Sequence, residues 1–230
     1  MTFGRFLLLI LVLLAGFAFG VWRGHIEVPP QWNPWAPLDI QATPNLLTPL
    51  KLRRLQEDRT LCEQALATSN LTYFAVPDST PEAGCPVENA VRVNRSEVRF
   101  NGAFLATCPL AAAYALFERH GLQPAAQRVF GQPVVRIDHF GSFACRNIAR
   151  SNRRSQHASA NALDLAGFHL QDGTRITVAR DWEGDDDKAR FLREVKAAAC
   201  EVFRVTLSPE YNAAHHDHFH VDMGGFGMCR

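Results

Sequence analysis

Two short stretches carry the side chains with chemistry to offer. Ser155 to Leu165 reads SQHASANALDL and holds one imidazole, His157, and one carboxylate, Asp164, seven residues apart. Near the C-terminus, His215-His216-Asp217-His218-Phe219-His220 gathers four of the nine histidines within six residues. Two histidines and a carboxylate are ligand types of a catalytic zinc, which takes three protein ligands and keeps a fourth position open. In an extended segment His218 and His220 point to one side, with Asp217 at the strand's entry. A carboxylate next to the metal's water can act as a general base, and Asp217 is the candidate. Read without a metal, the same residues are a surface histidine run and a simple His–Asp hydrogen bond.

The elements around these stretches decide whether they meet. If Ala160-Asn161 forms a two-residue hairpin turn, His157 stands opposite Asp164, with Cβ atoms about 4.5–5.5 Å apart. A helix would also put both on one face, but Asn161 and the small residues around it favour a turn. Asp164 lies between Leu163 and Leu165, so it is expected to be part-buried and in need of a partner. Upstream, Thr60 to Thr68 has a helical apolar pattern, and Thr72–Val76 and Val91–Val93 read as strands. Asn101-Gly102 inside Glu97–Thr107 is a hairpin signal. Pro109 to His120 reads as a helix opened by proline and closed by Gly121. Val129–Val135, Arg136–His139 and Arg175–Ala179 are expected strands. Asp187 to Phe203 is an amphipathic helix with Leu192, Val195, Ala199, Val202 and Phe203 in one stripe. Val205–Leu207 and Phe219–Met223 complete the strands. The pattern predicts an α+β fold: a central, mainly antiparallel sheet with two or three packed helices.

The chain has 230 residues, 47% apolar and 20% charged, with a net charge of +1. That fits one domain with a real core plus an appendage, and it carries no electrostatic footprint for nucleic acid. Met1 to Arg5 precedes an uncharged apolar run from Phe6 to Trp22, followed by Arg23. A positive residue before such a run marks an export signal or a membrane anchor. No clean A-x-A cleavage site follows, so residues 1–23 read as an uncleaved anchor, with a cleaved signal as the alternative. Residues 24–50 hold six prolines, which reads as an extended tether packing on the domain through Trp32, Trp35 and Leu38. The domain itself is expected over 51–230. Six cysteines (62, 85, 108, 145, 200, 229), widely spaced and without C-x-x-C, read as three disulfides in an oxidising compartment. Neighbouring order suggests Cys62–Cys85, Cys108–Cys145 and Cys200–Cys229, out of fifteen possible pairings.

Ser155-x-His157 with Ala162-x-Asp164 resembles the S-x-H-x-x-G-x-A-x-D motif of the zinc D-alanyl-D-alanine peptidases. Asp217-His218-Phe219-His220 resembles their closing acid-x-x-His and His-x-His signature. The resemblance is most specific to the bacterial extensin-like C-terminal domain family. Its supporting segments are NPWAPL (33–38), FACRN (143–147) and PEYNAAH (209–215). It implies a Hedgehog/DD-peptidase fold, with His157, Asp164 and His220 as zinc ligands. It further implies Asp217 as the catalytic acid/base, with His218 and His215 lining the site and Arg146, or else Arg154, contacting substrate. The implied activity is zinc-dependent hydrolysis of peptidoglycan peptides next to D-amino acids, on the periplasmic side of a bacterial inner membrane. The alternative is a wall-binding or signalling domain that keeps the metal without turnover. One departure stands out: the motif glycine is Ala160 here. A positive φ at that point would strain an alanine by about 1 kcal/mol or more.

Overall fold

In the computed structural model, which describes residues 3–230, a mixed sheet forms the spine of an α+β domain. The helices are α1 (Phe3–Trp22), α2 (Thr48–Arg54), α3 (Arg59–Ala67), α4 (Cys108–Phe117), α5 (Gln123–Phe130), α6 (Val178–Asp181) and α7 (Asp187–Val202). The strands are β1 (Thr72–Val76), β2 (Ser79–Glu82), β3 (Cys85–Val87), β4 (Ala90–Arg95), β5 (Arg99–Thr107) and β6 (Val134–His139). They continue with β7 (Ala162–Leu170), β8 (Arg175–Thr177), β9 (Val205–Leu207), β10 (Phe219–Asp222) and β11 (Met228–Cys229). The main sheet runs β1-β4-β5-β6-β7-β10-β9-β11, with β8 also on β7 and a separate β2-β3 hairpin. Only β5–β6 and β9–β11 pair in parallel. Short links join the antiparallel pairs β2–β3, β4–β5 and β7–β8, whereas β6–β7 and β9–β10 are joined by longer loops, 140–161 and 208–218.

The core lies between the sheet and α4, α5 and α7. Every residue of α4 is buried, and Leu192, Val195 and Ala199 of α7 supply the expected stripe. Asp186 caps α7 by accepting from the Ala189 amide at 2.9 Å. Leu38 and Ile40 belong to the same core as these helices, so domain packing reaches back into the proline-rich segment. Of the three residues expected to dock that segment, only Leu38 is buried; Trp32 and Trp35 are exposed.

Four local expectations are corrected. Asn101-Gly102 does not turn the chain: β5 runs through it. The Asn101 side chain bonds both ways to the His139 backbone, donating at 2.9 Å and accepting at 3.0 Å, as a strand neighbour would. The turn falls earlier, where the Ser96 amide donates to the Val98 carbonyl at 3.1 Å. Gly121 does not end α4 either. A single π turn, Glu118–Leu122, carries the helix straight into α5. Gly121 is there because a Cβ would come within 2.7 Å of the Ala198 Cβ on α7. Val129 and Phe130 are therefore helical, and α5 closes instead at Gly131, with φ 66°. Finally, the disulfides are Cys62–Cys108, Cys85–Cys145 and Cys200–Cys229. Two of the three expected pairs are replaced because α3 packs on α4 and the β2-β3 hairpin packs beside the loop after β6, bringing distant cysteines together.

Candidate metal centre

The site is built where β7 and β10 lie side by side. In their antiparallel register Asp164 faces His220 directly, which puts both side chains on one face of the sheet. His218, His220 and Asp222 follow at alternate positions and share that face. His157 arrives by another route than a hairpin. It sits on a 3-10 turn, Gln156–Ser159, so the expected Ala160-Asn161 hairpin is absent. Ser155 opens this turn, its Oγ accepting from the His157 amide at 3.3 Å. Ala160 closes it in the left-handed conformation, with φ 54°. Asn161 then ties the turn down. Its Oδ1 accepts from Thr107 Oγ1 at 2.6 Å, and its Nδ2 donates to Gln156 Oε1 at 2.7 Å.

The loop after β6 completes the frame. The Phe140 amide donates to the Asp164 carbonyl at 2.9 Å, and the Asp164 amide donates to the Gly141 carbonyl at 3.2 Å. Cys145 in this loop is bonded to Cys85 of β3, and the Ala144 amide donates to the His157 carbonyl at 3.1 Å.

His157, Asp164 and His220 converge, and their donor atoms fit one cation. Asp164 Oδ1 lies 3.1 Å from His157 Nε2 and 2.9 Å from His220 Nδ1; the two ring nitrogens are 3.1 Å apart. Tetrahedral zinc with bonds near 2.0–2.1 Å needs donor atoms about 3.3 Å apart, so the triangle is the right size. The outer partners set the tautomers. His157 Nδ1 lies 3.1 Å from the Ser142 carbonyl, which can only accept, so Nδ1 carries the hydrogen and Nε2 is left as a lone pair. His220 Nε2 likewise lies 3.1 Å from Asp222 Oδ2, which leaves Nδ1 as a lone pair whenever the ring is neutral. Two imidazole lone pairs and one carboxylate oxygen therefore meet at one buried point. Such a point requires positive charge, supplied by protons or by a metal ion, and the outer partners on each histidine are those that metal-ligating imidazoles use.

With protons alone, the electrostatics respond accordingly. Burial works against a charge on His220, yet its hydrogen bonds to Asp164 and Asp222 win and raise it to about 9. Burial likewise disfavours the Asp164 carboxylate, but hydrogen bonds from His157 and His220 hold its pKa well below the usual range.

The other expected site residues surround this point at differing ranges. His218 Nδ1 donates to Asp217 Oδ1 at 2.8 Å, and its Nε2 comes within 3.6 Å of Asp164 Oδ1. Asp217 therefore touches the centre through His218. The His215 ring lies tilted at 5.2 Å from His218 and edge-on at 5.8 Å from His220, with its Nδ1 2.8 Å from Asn212 Oδ1. Burial, then the charges on His220 and His218, hold His215 down at about 4, with Asp164 opposing and Arg146 adding to the depression. His215 is thus a neutral imidazole at the rim. Arg146 is exposed, and its charge reaches His215. Arg154 donates to the Ala83 carbonyl at 3.2 Å and lies over Gly84, so its guanidinium is engaged by the β2-β3 hairpin. Phe140 and Tyr211 are exposed beside these histidines, Phe140 at 5.7 Å from His218 and Tyr211 at 5.5 Å from His215.

Asp222 and Ser142 were not singled out in the sequence. For Asp222 the signal was present: His218, His220 and Asp222 alternate with apolar residues on one strand. Ser142 acts through its carbonyl, which side-chain patterns do not register.

A family model for the extensin-like protein C-terminus matches residues 60–230, a span that holds every residue of the site. No curated protein and no solved structure matches the chain.

Proposed function

The chain belongs to the extensin-like protein C-terminus family, and from that premise we propose that it is a zinc-dependent peptidase of the Hedgehog/DD-peptidase fold. Its substrates are peptidoglycan peptides, cut at amide bonds next to D-amino acids. The observation that carries this reading is the buried meeting of three lone-pair donors, His157 Nε2, Asp164 Oδ1 and His220 Nδ1, each imidazole held by an outer acceptor. Zinc held there supplies Lewis-acid polarisation of a carbonyl and acidification of a water. The chain's own groups do the rest. Asp217 accepts the proton from the attacking water and returns it to the leaving amine, while its hydrogen bond with His218 fixes both side chains. In this reading neutral His215 and the Arg146 guanidinium supply the hydrogen bonds and positive charge that stabilise an oxyanion. In this reading the apolar α1 is the membrane anchor and the domain lies on the periplasmic side; the length and hydropathy of α1 and the three disulfides support it.

One observation favours a closed, non-catalytic metal site: His218 Nε2 faces the triad and can act as a fourth ligand. Incubation of the zinc-loaded protein with muropeptides, read by mass spectrometry, separates the two. The peptidase reading expects loss of D-alanine or cut crosslinks. Asp217→Ala is expected to lower turnover by about 10²–10⁴-fold with zinc content unchanged. Full zinc content in the wild type with no cleavage of any wall peptide favours the closed site.

A further inference from the structure

The corner where the chain leaves α1 carries a second surface. α1 buries none of its residues against the rest of the protein. It ends in Trp22 and Arg23, whose guanidinium lies 6.0 Å from the Trp22 ring centroid and 5.6 Å from that of Phe19. The short segment Arg23–Pro29 then leads to Pro30, and a stretch of that length reaches at most about 25 Å. From Pro30 onward the chain is fixed to the domain. Buried Lys51 donates to the Pro30 carbonyl at 2.7 Å, Arg54 to the Pro34 carbonyl at 2.6 Å, and Asn45 Nδ2 to the Gln31 carbonyl at 2.9 Å. The 30–37 loop and the start of α2 are therefore one rigid corner.

The apolar side chains of that corner point outward. Trp32 is 53% exposed, Trp35 75%, Leu46 91% and Leu50 47%. Two tryptophans and two leucines left in water beside the exit of an apolar helix match the belt that membrane proteins place at headgroup level. Lys51 and Arg54 are committed to carbonyls and Arg53 is exposed on α2, so the four apolar side chains carry most of the attraction.

We propose that this corner beds into the headgroup region of the phospholipid bilayer crossed by α1, and so fixes the orientation of the domain on the membrane. The proposal rests on α1 as an anchor. The test uses the full chain with Trp22→Phe, reconstituted in phosphatidylethanolamine/phosphatidylglycerol vesicles with or without brominated acyl chains. Trp32, Trp35 and the buried Trp182 then report. The expected result is a loss of emission in brominated vesicles that survives high salt and vanishes on adding Trp32→Phe and Trp35→Phe. Carbonate extraction of the same vesicles reads the anchor separately. A chain that stays in the vesicles, is not quenched by bromine and is quenched by aqueous acrylamide overturns the docking alone. A chain released by carbonate overturns the anchor and the docking together.

Discussion

At the scale of single residues, the proposed site depends on groups one step behind His157, Asp164 and His220. Asp222 sets which nitrogen of His220 faces Asp164, and the Ser142 carbonyl does the same for His157. Asp222→Asn keeps the size of the side chain but removes its charge. Losing such an outer partner costs about 10–100-fold in metal affinity. The expectation is a weaker zinc dissociation constant by that factor, measured by competition with a chromophoric chelator, with the fold intact by circular dichroism. An unchanged constant would show that Asp222 does not orient His220. Ala160 shows the opposite balance. Its left-handed φ of 54° costs about 1–2 kcal/mol for a non-glycine residue, but its methyl is fully buried. A glycine there would relieve the strain and lose both the methyl contact and chain stiffness, each worth about 0.5–1 kcal/mol. The terms nearly cancel, which is why an alanine can occupy a position where the motif has glycine.

At the scale of elements, the close approach of α7 to the turn between α4 and α5 is the tightest constraint. Gly121→Ala is expected to destabilise by about 1–3 kcal/mol, because its Cβ would crowd Ala198 at 2.7 Å. In a double-mutant cycle, adding Ala198→Gly should cost less than the two single changes summed, since the second change makes room for the first. Additive losses in thermal melts would refute the contact. The same region shows what a linear sequence carries and what it withholds. β1 and β9 have the bounds expected from alternation, and α7 differs by one residue, because each pattern is local. The role of Gly121 is not local: it is set by a helix almost eighty positions later. Asn101-Gly102 has strong turn chemistry, yet Asn101 bonds to β6 and stays in a strand. Cysteine pairing followed the packing of α3 on α4, which no spacing rule contains. For the site, the residue types and their chain-local patterns were legible. The route was not: Asp164 meets His220 through strand register, and His157 joins them from a 3-10 turn.

At the scale of the whole molecule, a metal held at the proposed centre ties ion, protons and stability together. In the metal-free protein His220 is raised from 6.5 to about 9. A histidine raised on folding contributes stability that is whole below its ordinary pKa and is lost as pH climbs through the folded value. Thermal melts of chelator-treated protein should therefore fall between pH 6.5 and 9. Zinc-loaded protein should show no such fall, since the ion replaces the proton, and it should melt higher; at a hundredfold excess over the dissociation constant the gain is about 2.7 kcal/mol. A metal-free melting temperature flat across that window would contradict the proton-filled centre. The most direct test of the central claim is zinc stoichiometry by elemental analysis. The account predicts about one zinc per purified chain, and essentially none after His157→Ala and Asp164→Ala together. An equal zinc content in that double variant would contradict it.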